Sequence, residues 1–168
     1  MIFRTVKPND TEETIEIEQI CFPPNEACSP KSMRERIAAA PELFLIAEEN
    51  GAIAGFLNGV STEEELFRDE FFTDASLHDA AGANVMLLGL DVRPEFRKRG
   101  LATEIVRRFA DMAAKTGKKR LILTCLEDKV PMYRKMGFHD RGMANSTWGG
   151  EAWHEMVMDL SSPRELYR

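Results

Sequence analysis

Asn50-Gly51 stands between two runs rich in β-formers, "LFLIAEE" before it and "AIAGFLNGV" after it. Both residues tolerate the positive φ that a two-residue type I′ turn demands, so the flanking runs are expected to pair as an antiparallel hairpin. The rest of the chain must be built around that pair. A strand at Ile2–Val6 and a helix from Thr11 to Cys21 precede it, with Ile15, Ile17 and Ile20 as the helix's apolar positions. "FPPNEACSP" breaks that helix, and Ser29 or Ser32 caps a second one running through Ile37.

Downstream the pattern changes. "STEEELFRDEFFTDASLHDAAGA" is polar and acidic and reads as a short helix with a mobile loop. "VMLLGLDV" is apolar nearly throughout, as a strand buried on both faces would be. Gly89 inside it suggests a bulge or the close approach of another backbone or a ligand. A helix follows from Gly100 to about Lys115, with Ala102, Ile105, Val106, Phe109, Met112 and Ala113 along its inner stripe. "RLILTCL" reads as a further strand, "DKVPMYRKM" as a short helix ended by Gly137, and "EAWHEMVMDL" as the last strand. A hairpin followed by strand, helix, strand, helix and strand gives an α+β (mixed α/β) class. With 168 residues, 43% of them hydrophobic, and no repeat or linker, the expected organisation is a single domain over residues 1–168.

Charge narrows the function. Lys plus Arg number 22 against 28 Asp plus Glu, a net charge of -6, which argues against a nucleic-acid partner. No apolar run approaches the ~20 residues of a membrane span and the start carries no signal-like core, so a cytoplasmic protein without a membrane partner is expected. Cys21, Cys28 and Cys125 form no metal-binding pattern and read as reduced thiols, and no metal is expected.

The exception to the acidic balance is "FRKRGLATEI", residues 96–105, at the turn between the apolar strand and the long helix. The first amides of a helix lack intrahelical partners and its dipole places about half a positive charge there. Glycine lets an anion come close to the backbone, so a phosphate or pyrophosphate is the natural guest. The alternative is that Gly100 eases the turn while the arginines stay solvated. Neither a Walker loop nor GxGxxG is present.

Arg97-Lys98-Arg99-Gly100-Leu101-Ala102 resembles the R/Q-x-x-G-x-G/A turn of the GNAT N-acetyltransferase superfamily, and "VPMYRKMGF" resembles that family's x-x-x-Y-x-K-x-G-F segment. Within the superfamily the likeness is closest to arylalkylamine (serotonin) N-acetyltransferases, through "PELFLIAEENGAIAGFLNG", "FRKRGLA" and "CLEDKVPMYRKMGF", over roughly residues 15–160. The resemblance implies a central, mostly antiparallel sheet splayed between two middle strands, with acetyl-CoA as cosubstrate. It implies acetyl transfer to the primary amine of a small molecule, arylalkylamine-like or polyamine-like, by direct attack in a ternary complex, in a monomer or homodimer. The main chain of Leu90, Asp91 and Val92 would pair with pantetheine, and amides from Arg97, Lys98, Arg99, Gly100, Leu101, Ala102 and Thr103 would surround the pyrophosphate. Tyr133 would stand beside the coenzyme sulfur, and Phe22 in the loop over the amine.

Amine attack on a thioester needs a proton taken from an ammonium of pKa about 10 and one supplied to the leaving thiolate, for which a tyrosine is suited. The animal enzymes carry two histidines on the central strand, and the matching positions here are Met86 and Leu88. His154, Glu127 and Asp91 are the candidate bases. His78 and His139 read as solvent-facing, His154 as a partly exposed strand residue, and Cys125 as a small core residue rather than an acyl carrier. The stretch from Glu63 to Asp79, with Phe67, Phe71 and Phe72, reads as a solvated face that could also favour a cationic amine. A regulatory module that binds the coenzyme without turnover is the alternative reading.

Overall fold

The hairpin forms as its turn chemistry requires, with Asn50 at φ 54 and Gly51 at φ 81. In the computed structural model, which describes residues 1–160, its strands are β2 (Phe44–Glu49) and β3 (Ala52–Thr62). β1 (Ile2–Thr5), β4 (Asn84–Val92), β5 (Arg120–Cys125), β6 (His139–Met143) and β7 (His154–Asp159) complete one seven-stranded sheet of order β1-β2-β3-β4-β5-β7-β6. All neighbours are antiparallel except β4 and β5. Helices α1 (Thr11–Cys21), α2 (Pro30–Ala39), α3 (Glu70–Thr73), α4 (Leu101–Lys115) and α5 (Val130–Met136) cover it.

The alternation along β2 shows why the sheet is covered on both faces. Phe44 and Ile46 join Ile17 of α1 and Met33 and Ile37 of α2 in one core. Leu45 and Ala47 join Ile105, Val106 and Phe109 of α4 in the other. Ser29 caps α2, its hydroxyl oxygen accepting from the Ser32 amide at 3.0 Å.

β4 and β5 are paired for three residues only, Asn84–Met86 against Arg120–Ile122. Beyond that they part, and β4 stays with β3 alone, with a bulge at Leu88 between the Gly59 to Leu87 and Asn58 to Gly89 pairs. The splayed, mostly antiparallel sheet expected from the resemblance is therefore present. Among the described residues no helix is long and apolar enough to cross a membrane.

Two readings from sequence need correction, and one strand went unread. His78 does not face solvent: its side chain is 7% exposed. Its Nδ1 accepts from the Ser61 amide at 3.0 Å, and its Nε2 lies 2.9 Å from Glu42 Oε2. β3 runs on to Thr62, and the segment after α3 folds back against it and buries the ring. The acidic stretch is not merely a solvated face, because Phe67 and Phe71 are in the core. "HDRGM" is an edge strand, β6, with His139 on its exposed side. Its polar alternation and its register shift before Met143 gave no apolar period to read.

Candidate active site

The splay opens a cleft of about 480 Å³, between β4 on one side and the end of β5 with α5 on the other. Its inner end is the turn into α4. That turn is a 3-10 segment, Pro94–Phe96, followed by Lys98 at φ 62 and Gly100 at φ 76, the N-cap of α4. A left-handed conformation costs a non-glycine residue about 1–2 kcal/mol, so Lys98 is held there by its surroundings. The first intrahelical bond runs from the Glu104 amide to the Gly100 carbonyl at 3.1 Å. The amides ahead of it face outward with the positive end of the helix dipole. Nothing lies within 4 Å of the position a Gly100 Cβ would take.

Of the anion-site residues expected from sequence, Arg97, Lys98, Gly100, Leu101, Ala102 and Thr103 line the cleft. Arg99 does not: its guanidinium packs 5.4 Å over the Phe96 ring, above a separate depression with Phe3, Glu104 and Arg108. The Arg97 Nε donates to the Val92 carbonyl at 2.9 Å, and the Cys21 thiol donates to the same oxygen at 3.3 Å. Leu90 and Val92 also line the cleft, whereas the Asp91 side chain is fully buried behind the strand.

Tyr133 of α5 faces β4 across the cleft, its ring packed edge-on against Phe138 at 5.6 Å. Burial holds its hydroxyl above the ordinary tyrosine range, and the acidic groups Cys125 and Asp91 reinforce that. Phe22, the extended residue ending α1, lines the mouth. So do Phe72, which the sequence offered within the acidic stretch, and Glu26, Trp148 and Trp153, which sequence reasoning missed. Phe72 stacks on Trp148 at 4.7 Å, and the Trp148 Nε1 donates to the Glu26 carbonyl at 2.9 Å. The Glu26 carboxyl is raised by burial and by Glu151 and Asp128. The only advance signal was that both tryptophans of the chain lie within six residues of each other.

The base candidates separate cleanly. His154 is partly exposed on β7 and its Nδ1 lies 3.1 Å from Asp140 Oδ2, away from the cleft. Glu127 is exposed on the turn before α5 and does not line it. Met86 is fully buried and Leu88 offers only a hydrocarbon wall. Cys125 is buried at the cleft wall, and burial, helped by Asp140 and Asp128, pushes its thiol up to about 12. It is a packed thiol, not a thiolate. Asp91 sits behind Gly89, close to Glu18 of α1, a cleft residue the sequence did not single out.

The chain is similar to known proteins along most of its length. It is 28% identical to the serotonin N-acetyltransferase of Mesocricetus auratus over 162 residues, 94% of this chain and 77% of that one. It is 26% identical over 145 residues to an acetyltransferase of Photorhabdus laumondii, 84% of this chain and 88% of that one. Among solved structures, the loading GNATL domain of CurA from Lyngbya majuscula superposes with a TM-score of 0.83 at 15% identity, covering 96% of this chain and 98% of that one. The protein yncA of Salmonella typhimurium, determined with its cofactor acetyl-CoA, superposes with a TM-score of 0.68 at 17% identity, covering 97% and 95%. The profile of the acetyltransferase (GNAT) family matches residues 11–138, from the start of α1 to the turn after α5. The chain belongs to that family.

Proposed function

We propose that this chain transfers the acetyl group of acetyl-CoA to the primary amine of a small molecule, by direct attack in a ternary complex. The observation that carries the reading is the cleft itself, which joins an anion cradle, an unpaired strand edge and a phenol in one channel. The residues fit the coenzyme. The amides of residues 97–103 with the open space at Gly100 suit a pyrophosphate, and Arg97 and Lys98 add charge to them. Arg99 contributes main chain only. The main chain of Leu90 and Val92 suits pantetheine as an added strand, with Arg97 leaving the Val92 carbonyl as the ligand replaces it, whereas the Asp91 carbonyl lies against Gly55 of β3.

When bound, the coenzyme supplies an acetyl group activated as a thioester. The Leu90 amide polarises the acetyl oxygen at the splayed edge. Tyr133, protonated through the physiological range, donates to the departing sulfur. Phe22, Phe72 and Trp148 form an apolar, water-excluding mouth for the body of the amine, and Glu26 places a carboxyl beside them. Holding both reactants in one channel supplies much of the acceleration. The reading covers the chain as one acetyltransferase domain and takes a small amine, arylalkylamine-like or polyamine-like, as the acceptor.

The test is thiol release from acetyl-CoA with a panel of arylalkylamines, polyamines and peptide N-termini, beside a melting curve with acetyl-CoA. At 100 times Kd the ligand adds about 2.7 kcal/mol of stability, or roughly 5–10 °C in a chain of this size. Release with at least one amine is expected. Stabilisation by acetyl-CoA with no release from any amine would favour a coenzyme-binding regulatory module, the reading that Met86 and Leu88 at the histidine positions support.

A further inference from the structure

Three polar atoms converge where Gly89 lacks a side chain. A Cβ at that position would lie 3.2 Å from Asp91 Oδ1, 3.4 Å from Asn58 Nδ2 and 3.5 Å from Glu18 Oε1. Each of the three is buried and has no hydrogen-bond partner among the described residues, and Asp91 Oδ2 has none either. The residues themselves are 0%, 1% and 3% exposed in that order. Buried polar atoms are almost always partnered. Glu18 and Asp91 reach one another, so one proton held between them pairs the two carboxyls, and the Asn58 amide is the donor left facing them at the Gly89 side.

The gap adjoins the cleft, because Gly89 and Glu18 line it beside Leu90. Charge around the gap is close to balance. Arg36 of α2, 2% exposed, donates to Asn58 Oδ1 at 3.3 Å and to the Phe72 carbonyl at 2.8 Å. Glu18 Oε2 accepts from the Cys28 amide at 3.0 Å, and the Cys21 and Cys28 thiols and, from α5, the Tyr133 phenol also face the pair. Burial drives the Asp91 carboxyl well above its ordinary range, and the charge of Glu18 adds to the rise. One proton on Asp91 leaves one negative charge between the carboxyls, against one guanidinium.

We propose that Glu18 accepts the proton of the attacking ammonium through the gap at Gly89, and that Asp91 is its positioning residue. This deepens the acetyl-transfer reading and rests on it. Two protons leave the nitrogen as the N–C bond forms and the C–S bond breaks. Glu18 takes the first and discharges it to solvent as the product leaves. The second ends on sulfur through Tyr133, whose hydroxyl gives its own proton and takes the nitrogen's. Ammonium and acetyl thioester thus become amide, thiol and one released proton.

The experiment compares wild type, Glu18→Gln, Asp91→Asn and Gly89→Ala by melting temperature, acetyl-CoA affinity and the pH profile of kcat/KM, and reads the apoprotein by infrared spectroscopy. Glu18→Gln is expected to bind acetyl-CoA as wild type does and to lose about 10²–10⁴-fold in kcat/KM at neutral pH. Its rate should recover as pH approaches the pKa of the amine. Asp91→Asn, which imitates the protonated acid, is expected to keep the affinity and move the acid limb to lower pH. It should also lack the protonated-carboxyl band that wild type shows at neutral pH. Gly89→Ala keeps both carboxyls and fills the gap, so a fall in kcat of about ten- to hundredfold is expected, and this variant decides the matter if Glu18→Gln does not fold. A wild-type pH profile in Glu18→Gln, an unchanged kcat in Gly89→Ala, or no such band in the wild-type apoprotein overturns the assignment. Wild type that binds acetyl-CoA and releases no thiol overturns the transfer reading itself, whatever the infrared band shows.

Discussion

Two glycines bound α4, and they separate backbone strain from ligand contact. Gly100 has φ 76 at the helix start and Gly117 has φ 86 just past its end, and a Cβ at either would meet nothing within 4 Å. Alanine at either position therefore adds only the cost of a left-handed L-residue, about 1–2 kcal/mol. For a chain of this size that is roughly 2–8 °C off the melting temperature. The strain is the same with and without ligand, so it cancels from the dissociation constant. Of the two, only Gly100 lines the cleft. There the added methyl displaces a pyrophosphate from the helix amides, and loss of one charge-assisted hydrogen bond, about 1.5–3 kcal/mol, weakens acetyl-CoA by roughly 10- to 150-fold. Calorimetric titration and thermal melts of Gly100→Ala and Gly117→Ala read both quantities. Equal losses of melting temperature with unchanged affinity in both variants would refute the placement of the pyrophosphate. Weakened binding in Gly117→Ala would show that the effect travels through the helix rather than through contact.

Tyr133→Phe is expected to leave acetyl-CoA affinity within about twofold and to lower kcat by about 10²-fold, the scale of a general acid. Turnover equal to wild type in single-turnover assays would remove the hydroxyl from the mechanism. Asp10 is gripped by both Arg4 nitrogens, at 2.8 and 2.9 Å, and the Arg4 hydrogen bonds hold its carboxyl below the usual range. A depressed carboxylate contributes stability that is present above its unfolded pKa and is lost as pH falls through its folded one. Asp10→Asn should therefore cost about 1–2 kcal/mol at pH 7, and its chemical-denaturation midpoint should converge on wild type as pH drops below about 4.

What the sequence disclosed was what local chemistry encodes. Asn50-Gly51 can close a hairpin without any tertiary help, and Gly89 in an apolar strand flags the bulge beside it at Leu88. The anion turn was legible for the same reason: its charges, its glycine and the helix it opens are contiguous in sequence. The mouth of the cleft was not, since Phe22, Phe72 and Trp148 come from three distant segments. Glu18 shows the limit most clearly. Its spacing places it on α1, but nothing local says that the helix buries this carboxyl against Asn58 and Asp91, 40 and 73 residues further along the chain. His78 was misread because a polar segment that folds back on β3 looks like any solvated loop until Ser61 and Glu42 are brought to it.

The sheet's two halves meet along a seam of three residue pairs, Asn84–Met86 with Arg120–Ile122. β2 and β3 close on a two-residue turn, while the seam requires α4 to be laid down between its strands. Contacts of that kind close late in folding and open early in unfolding, since long-loop pairings follow local ones. A ligand wedged between the parted strands touches both lips and acts after the folding transition state has passed. It should thus leave the folding rate almost unchanged and slow unfolding, so that in a cell rich in coenzyme the protein's lifetime, more than its folding yield, is set by how often the cleft is filled.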